Sequence, residues 1–194
     1  FWYFGHPEVY VVVLPAFGVI SEVLSTSARR TIFGYKSMVF ALAGIGIVGF
    51  IVYGHHMFTS GMSPLLRFVT MLTTMLVAVP TGIKIFNWLQ TMHGGSLVYR
   101  THTLWALGFL VTFTLGGISG MYFPAVAMDL HLHETYFVVA HFHYVFVGGI
   151  VFGLYSGIYY WFPKATGRMM NEKVGILHFM TGFISYNLIF WPMH

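Results

Sequence analysis

From Tyr136 to Phe162 the sequence contains no Asp, Glu, Lys or Arg. Crossing a bilayer takes about 20 residues of helix, and this run exceeds that. In lipid it must satisfy its own backbone hydrogen bonds, which an α-helix does. Within the run stand His141, Phe142 and His143. A helix turns by about 100° per residue, so positions two apart point about 200° from each other. His141 and His143 therefore face opposite sides of one buried helix. They cannot share a metal, but they can hold two, and a flat macrocycle against each side would use both. Histidine this deep in lipid points to function.

The rest of the chain is of the same kind. Its hydrophobic share is 57% and its charged share 7%, far below what a soluble domain needs to cover its surface. The chain is expected to be an all-α polytopic transmembrane bundle of about six spans: 1–26, 35–58, 64–91, 101–123, 136–163 and 173–194. It reads as a single membrane domain over 1–194, with no soluble domain, and as a piece of a longer subunit. Turn-forming residues separate the spans, such as Gly61-Met62-Ser63-Pro64 and His93-Gly94-Gly95-Ser96. There is no Cys, which excludes disulfides, iron–sulfur clusters and thiolate copper sites within the chain.

The net charge of +4 does not indicate a nucleic-acid partner, because the basic residues alternate between loops. Arg29, Arg30 and Lys36 flank the first, Arg100 the third, and Lys164, Arg168 and Lys173 the fifth. The second has Arg67 nearby and the fourth none. The odd loops are expected to be cytoplasmic and the even ones outward. The fourth instead carries Asp129, His131, His133 and Glu134, a set that suits a hard cation or a partner.

Three further constellations stand out. His6 and Tyr10 are four apart and share a helix face, with Glu8 pointing elsewhere and Pro7 freeing a backbone carbonyl one turn earlier. Alone, that triplet reads equally well as a helix–helix hydrogen-bond cluster. His55-His56 reach one ion only where a helix ends or bends; by themselves they read as interfacial capping. With His6 they make three neutral imidazoles and no carboxylate, a set that suits copper or zinc. Lys84 follows Pro80-Thr81-Gly82-Ile83 deep in an apolar run. Burying it costs about 2.5–3.5 kcal/mol, and a residue so placed marks an ion or proton path more often than a snorkelling side chain. Thr81 and Ser21 would extend a polar file.

Together these motifs resemble subunit I of the heme–copper oxidases, of the cytochrome c oxidase type. The resemblance rests on Phe-Gly-His-Pro-Glu-Val-Tyr at 4–10, His-His at 55–56, Pro-Thr-Gly-Ile-Lys at 80–84 and His-Glu-Thr-Tyr-Phe-Val-Val-Ala-His-Phe-His-Tyr-Val at 133–145, in that order. It implies transmembrane helices six to eleven of a twelve-helix subunit. It further implies that His6, His55 and His56 bind CuB and that Tyr10 is covalently linked to His6. His141 would hold the high-spin heme and His143 the low-spin heme. Glu8 would end one proton path, and Lys84, Thr81 and Ser21 would line another. His133 and Glu134 would bind Mg2+ or Mn2+, and Asp129 would lie by heme propionates. The family usually has Asp where Glu134 stands.

The implied activity is reduction of O2 to water with proton translocation, using two hemes, expected to be heme A, and electrons from cytochrome c. The implied partners are subunit II with its dinuclear copper, subunit III and the lipid membrane, either the bacterial plasma membrane, which is favoured, or the mitochondrial inner membrane. A ubiquinol or menaquinol oxidase is the nearest rival; Tyr144 and His133-Glu134 lean towards the cytochrome c branch. A nitric oxide reductase would leave Tyr10 and Lys84 without a role. A non-catalytic diheme electron carrier would need only His141 and His143. A metal or proton transporter would not explain the back-to-back histidines.

Overall fold

A computed structural model describes residues 1–194, all in helices, turns and short connections with no strand. The helices are α1 (Trp2–Ala28), α2 (Tyr35–Gly49), α3 (Pro64–Met75), α4 (Ala78–Met92), α5 (Thr101–Gly120), α6 (Val126–Leu132), α7 (Tyr136–Phe142), α8 (Gly148–Thr166) and α9 (Glu172–Phe190). Five segments are long and apolar enough to cross a membrane: Trp2–Ala28, Pro64–Met92, Thr101–Gly120, Tyr136–Thr166 and Glu172–Met193. The second expected span is shorter than the sequence suggests. Its α-helix stops at Gly49, and Val52–Met57 continue as a 3-10 turn.

Two spans are interrupted for identifiable reasons. Between α3 and α4, Pro80 has no N–H to give the carbonyl of Leu76. That carbonyl takes the Val79 N–H at 3.2 Å instead, and the helix breaks there. Between α7 and α8, residues His143–Val147 form a π-turn. Such insertions are frequent at functional sites.

In lipid, apolar area gives helices no reason to associate, so close packing of small residues holds them together. Gly149, Gly153 and Gly157 form a stripe on α8. A methyl group at Gly153 would stand 3.0 Å from the Ala16 side chain and one at Gly157 3.0 Å from Val19, so α1 and α8 approach along that stripe. The centre is filled by Phe17, Ile20 and Leu24 of α1, Trp88 of α4, and Trp105, Phe109 and Phe113 of α5.

The ends are fixed by specific caps. The Ser63 hydroxyl accepts from the Leu66 N–H, with Pro64 at the first helical position. Asn171 accepts from Lys173 and Val174 at 3.0 and 3.3 Å. Glu172 reaches across to the start of α5 and accepts from the Thr101 N–H at 2.6 Å, a carboxylate placed at the positive end of a helix.

Loops one, three and five meet at one end of the bundle. The N–H groups of Ser96 and Val98 donate to the Ala28 and Ser27 carbonyls at 3.2 and 3.0 Å, and Arg30 donates to the His93 carbonyl. The charge alternation thus has a matching geometry. Cysteines at exposed Thr31 and exposed Met121 should label from opposite faces of the membrane with an impermeant maleimide. Labelling of both from one face would sink the topology.

Candidate metal centre and proton file

Residue His6 lies buried on α1, and the 3-10 turn carries His55 and His56 up to it. One nitrogen of each ring lies within 4.8 Å of the other two. Ring centroids are 4.4 Å apart for His6 and His55, 5.2 Å for His6 and His56, and 4.3 Å for the adjacent pair. Helix phase alone does not converge two consecutive residues. Neighbours steer them: the Thr74 hydroxyl meets His55 Nδ1 at 3.1 Å, and Trp2 stacks on His56 at 3.9 Å, 9° from parallel. His6 Nδ1 and His56 Nε2 are 3.0 Å apart, whereas His6 Nε2 is buried without a partner. An unpaired nitrogen amid three imidazoles and no carboxylate fits a copper or zinc ion.

Tyr10 stands one turn along α1 from His6, with ring centroids 5.1 Å apart. Room for its ring comes from Gly49, where a methyl group would meet Tyr10 Cδ2 at 2.6 Å. Glu8 is exposed on α1, away from the histidine cluster.

The two histidines of the fifth span are held alike. His141 Nδ1 lies 2.9 Å from the Gly116 carbonyl and His143 Nδ1 2.8 Å from the Val139 carbonyl. A carbonyl only accepts, so each Nδ1 carries the proton and each Nε2 keeps its lone pair. That is the tautomer an iron ligand needs, with its other nitrogen held by a second-shell acceptor. Two glycines let α5 pack close to this segment, Gly120 under the His141 ring and Gly116 under Tyr144 and Val145. A methyl group at Gly116 would meet Tyr144 Cβ at 2.7 Å, and one at Gly120 would meet His141 Cε1 at 2.5 Å. Both histidines therefore fit axial ligation of a heme.

Between α1 and α4 lies Lys84, 1% exposed, its Nζ without a hydrogen-bond partner. Nζ sits 5.0 Å from the Phe17 ring and 4.8 Å from the Trp88 ring. Trp88 Nε1 donates to Ser21 Oγ at 2.9 Å, and Ser21 donates to the Phe17 carbonyl at 2.7 Å. Ser21 and Lys84 thus share one contact, with Trp88 between them. Thr81 does not join it: its hydroxyl donates to the Val77 carbonyl at 2.8 Å.

The fourth loop is looser. His133 Nδ1 lies 3.7 Å from Asp129 Oδ2 and His133 Nε2 3.9 Å from Glu134 Oε1, so the two carboxylates approach opposite ring edges. One cation can bridge His133 and Glu134, but those two ligands alone do not make a magnesium cage. Glu134 sits at φ +59° with its side chain exposed. Burial pushes the Asp129 carboxyl above the usual range, and neighbouring His133 draws it back.

Several residues at these places went unremarked in the sequence: Trp2, Thr74, Trp88, Gly116 and Gly120. Trp2 precedes His6 by four and Trp88 follows Lys84 by four, the spacing that puts them on the same helix faces. His178 lies in α9 with its Nδ1 3.1 Å from the Tyr159 hydroxyl and its ring 5.0 Å from that of Trp105.

The sequence profile of the family described as "Cytochrome C and Quinol oxidase polypeptide I" matches residues 1–194. Among similar proteins, cytochrome c oxidase subunit 1 of Synechocystis sp. is 54% identical over 194 residues, which are all of this chain and 35% of that protein. The subunit of the same name from Cereibacter sphaeroides is 52% identical, matching all of this chain and 34% of its own length. That from Bacillus subtilis is 51% identical, with 31% of its length matched. The chain thus spans about a third of the length of these relatives. A cryo-EM structure of a heme-copper terminal oxidase dimer superposes with a TM-score of 0.89 at 22% identity, covering 100% of this chain and 38% of that one. That likeness is one of fold.

Proposed function

The chain belongs to the cytochrome c and quinol oxidase polypeptide I family, and on that premise we propose that it forms the redox core of a respiratory terminal oxidase, a single membrane domain that reduces O2 to water and translocates protons. The observation that carries this reading is the cluster of His6, His55 and His56, whose ligand nitrogens lie within 4.8 Å of one another. In the reading, these three hold CuB, His141 holds the high-spin heme, and His143 holds the low-spin heme on the opposite side of the helix.

When bound, the hemes and copper supply the O2 site and the electrons. This chain's own residues hold and deliver. The Nδ1–H bonds of His141 and His143 fix both rings. The Tyr10 phenol, beside His6, is a proton source at the copper side and the partner of the expected covalent link. Lys84, with Ser21, passes protons toward Tyr10. Thr81, three residues before Lys84, spends its own proton on Val77 and adds only an acceptor to that file. Glu8 serves a second route. Asp129 lies by the heme propionates, and His133 with Glu134 contributes to a Mg2+ or Mn2+ site completed by water or other chain segments.

The protein is an integral membrane protein. The relatives named above are bacterial, which favours the bacterial plasma membrane over the mitochondrial inner membrane. The donor is cytochrome c, through the dinuclear copper of subunit II, with subunit III alongside; those relatives' names favour this over a quinol donor. The hemes are of type A.

The test is a pyridine-hemochrome spectrum with metal analysis of the full complex. We expect two A-type hemes, one of them high-spin and CO-binding, together with copper. Heme without copper at the three-histidine site would instead indicate a diheme electron carrier. Absence of heme would sink the oxidase reading.

A further inference from the structure

One helix that contributes no proposed ligand closes around the His143 segment. Phe190 of α9 stacks on the His143 imidazole, centroids 3.8 Å apart and 17° from parallel. One turn earlier, the Tyr186 hydroxyl donates to the His143 carbonyl. Between them, Asn187 Oδ1 accepts from the Tyr144 hydroxyl at 2.6 Å, and Asn187 Nδ2 donates to the Phe183 carbonyl at 2.8 Å. Tyr186 and Phe190 are four apart and share a face, so α9 grips both the main chain and the ring of His143.

The grip falls on the π-turn. There the Gly148 N–H reaches back to the His143 carbonyl, a bond one residue longer than the α-helical one. That carbonyl also accepts from Tyr186, so it anchors the inserted residue to a second helix. The fit is close on the other side too. A methyl group at Gly148 would lie 2.8 Å from Thr112 Oγ1 of α5 and 3.3 Å from Tyr186 Oη.

We propose that Tyr186 and Phe190 are positioning residues that set the orientation of the His143 imidazole and thereby tune the low-spin heme. The inference rests on His143 being the ligand of that heme. His143 has three degrees of freedom to lose: Val139 holds Nδ1, Phe190 holds the ring face, and Tyr186 holds the backbone from which the side chain springs. The orientation of an axial imidazole sets the splitting of the iron orbitals it meets. The surrounding hydrogen bonds and packing set the ligand's strength.

The experiment uses the full oxidase complex and reads the low-spin heme directly. Tyr186→Phe keeps the ring and removes only the hydroxyl. It should retain low-spin heme while shifting that heme's largest EPR g value and its midpoint potential, and it should leave the high-spin heme and copper unshifted. Phe190→Leu should shift the same two signals further. Tyr159→Phe is the control: it removes a hydroxyl from the same α8–α9 pair, where its partner is His178, and should leave both signals in place. Loss of low-spin heme alone in Tyr186→Phe, with high-spin heme and copper retained, also supports the proposal. Unchanged g values and potential in both variants would overturn it. So would equal displacement or loss of both hemes, since that reports general loosening of the bundle. A wild-type complex with no low-spin heme signal would instead remove the oxidase reading on which the inference stands.

Discussion

Replacing His55 by Ala in the full-length subunit should strip the active-site copper, lower O2 turnover at least about a hundredfold, and leave the low-spin heme in place. His55 is one of three imidazoles whose nitrogens lie within 4.8 Å of one another. Without it two remain, and the outer support lost with it, the Thr74 hydroxyl at 3.1 Å, has no other ring to hold. A soft divalent or monovalent ion held by two neutral nitrogens in lipid surroundings exchanges with the medium. The low-spin heme should not notice, because His143 lies on another span, with its Nδ1 bonded to Val139 and its face against Phe190. Copper analysis should show the loss, and the visible spectrum should keep its low-spin band. A full copper complement with normal turnover would refute the ligand assignment.

Lys84→Met should be as damaging to turnover while leaving every cofactor spectrum intact. The ammonium is 1% exposed, has no hydrogen-bond partner, and sits between the Phe17 and Trp88 rings. Cation–π attraction offsets part of the cost of burying it. Met matches the length and packs against the same two rings, so the α1–α4 contact should survive. What is lost is the titratable nitrogen of the proposed path from Ser21 to Tyr10. These two lie eleven residues apart on α1, about 16 Å along its axis, too far for one transfer. Reduction of the high-spin heme should become slow, and turnover should fall about a hundredfold, the scale of losing a positioned proton-transfer group. Near-normal turnover, or loss of the hemes, would make Lys84 a structural residue.

Most of the span plan was legible because lipid imposes one rule on every segment. Runs of apolar residues between turn-formers gave α1, α5 and α9 to within a few residues. The departures come from interactions that a linear pattern does not carry. The second span ends early, at Gly49, and the 3-10 turn that follows brings His55 and His56 to His6 of α1. The extra residue at His143–Val147 has no signature in hydropathy; it lies where Gly148 seats against Thr112 and Tyr186. The site was legible as residue types and not as contacts. His6, His55 and His56 announced themselves as polar residues in apolar surroundings. Their supports did not: Trp2 and Trp88 look like any other aromatic residue in a membrane helix. Thr81 shows the limit from the other direction. Its place three residues before Lys84 puts it on the right face, but its hydroxyl is taken by Val77 of its own helix.

Two missing side chains on α5 act as a ruler. Because Gly120 presents bare backbone, the His141 ring rests directly against the helix, and Gly116, one turn earlier, lets Tyr144 and Val145 close in beside it. A methyl group at Gly120 would meet His141 Cε1 at 2.5 Å and push the ring outward. The placing of the His141 ring is thus recorded in a neighbouring helix, at positions defined by the atoms they lack. Moving that ring would begin on α5 and not at the histidine itself.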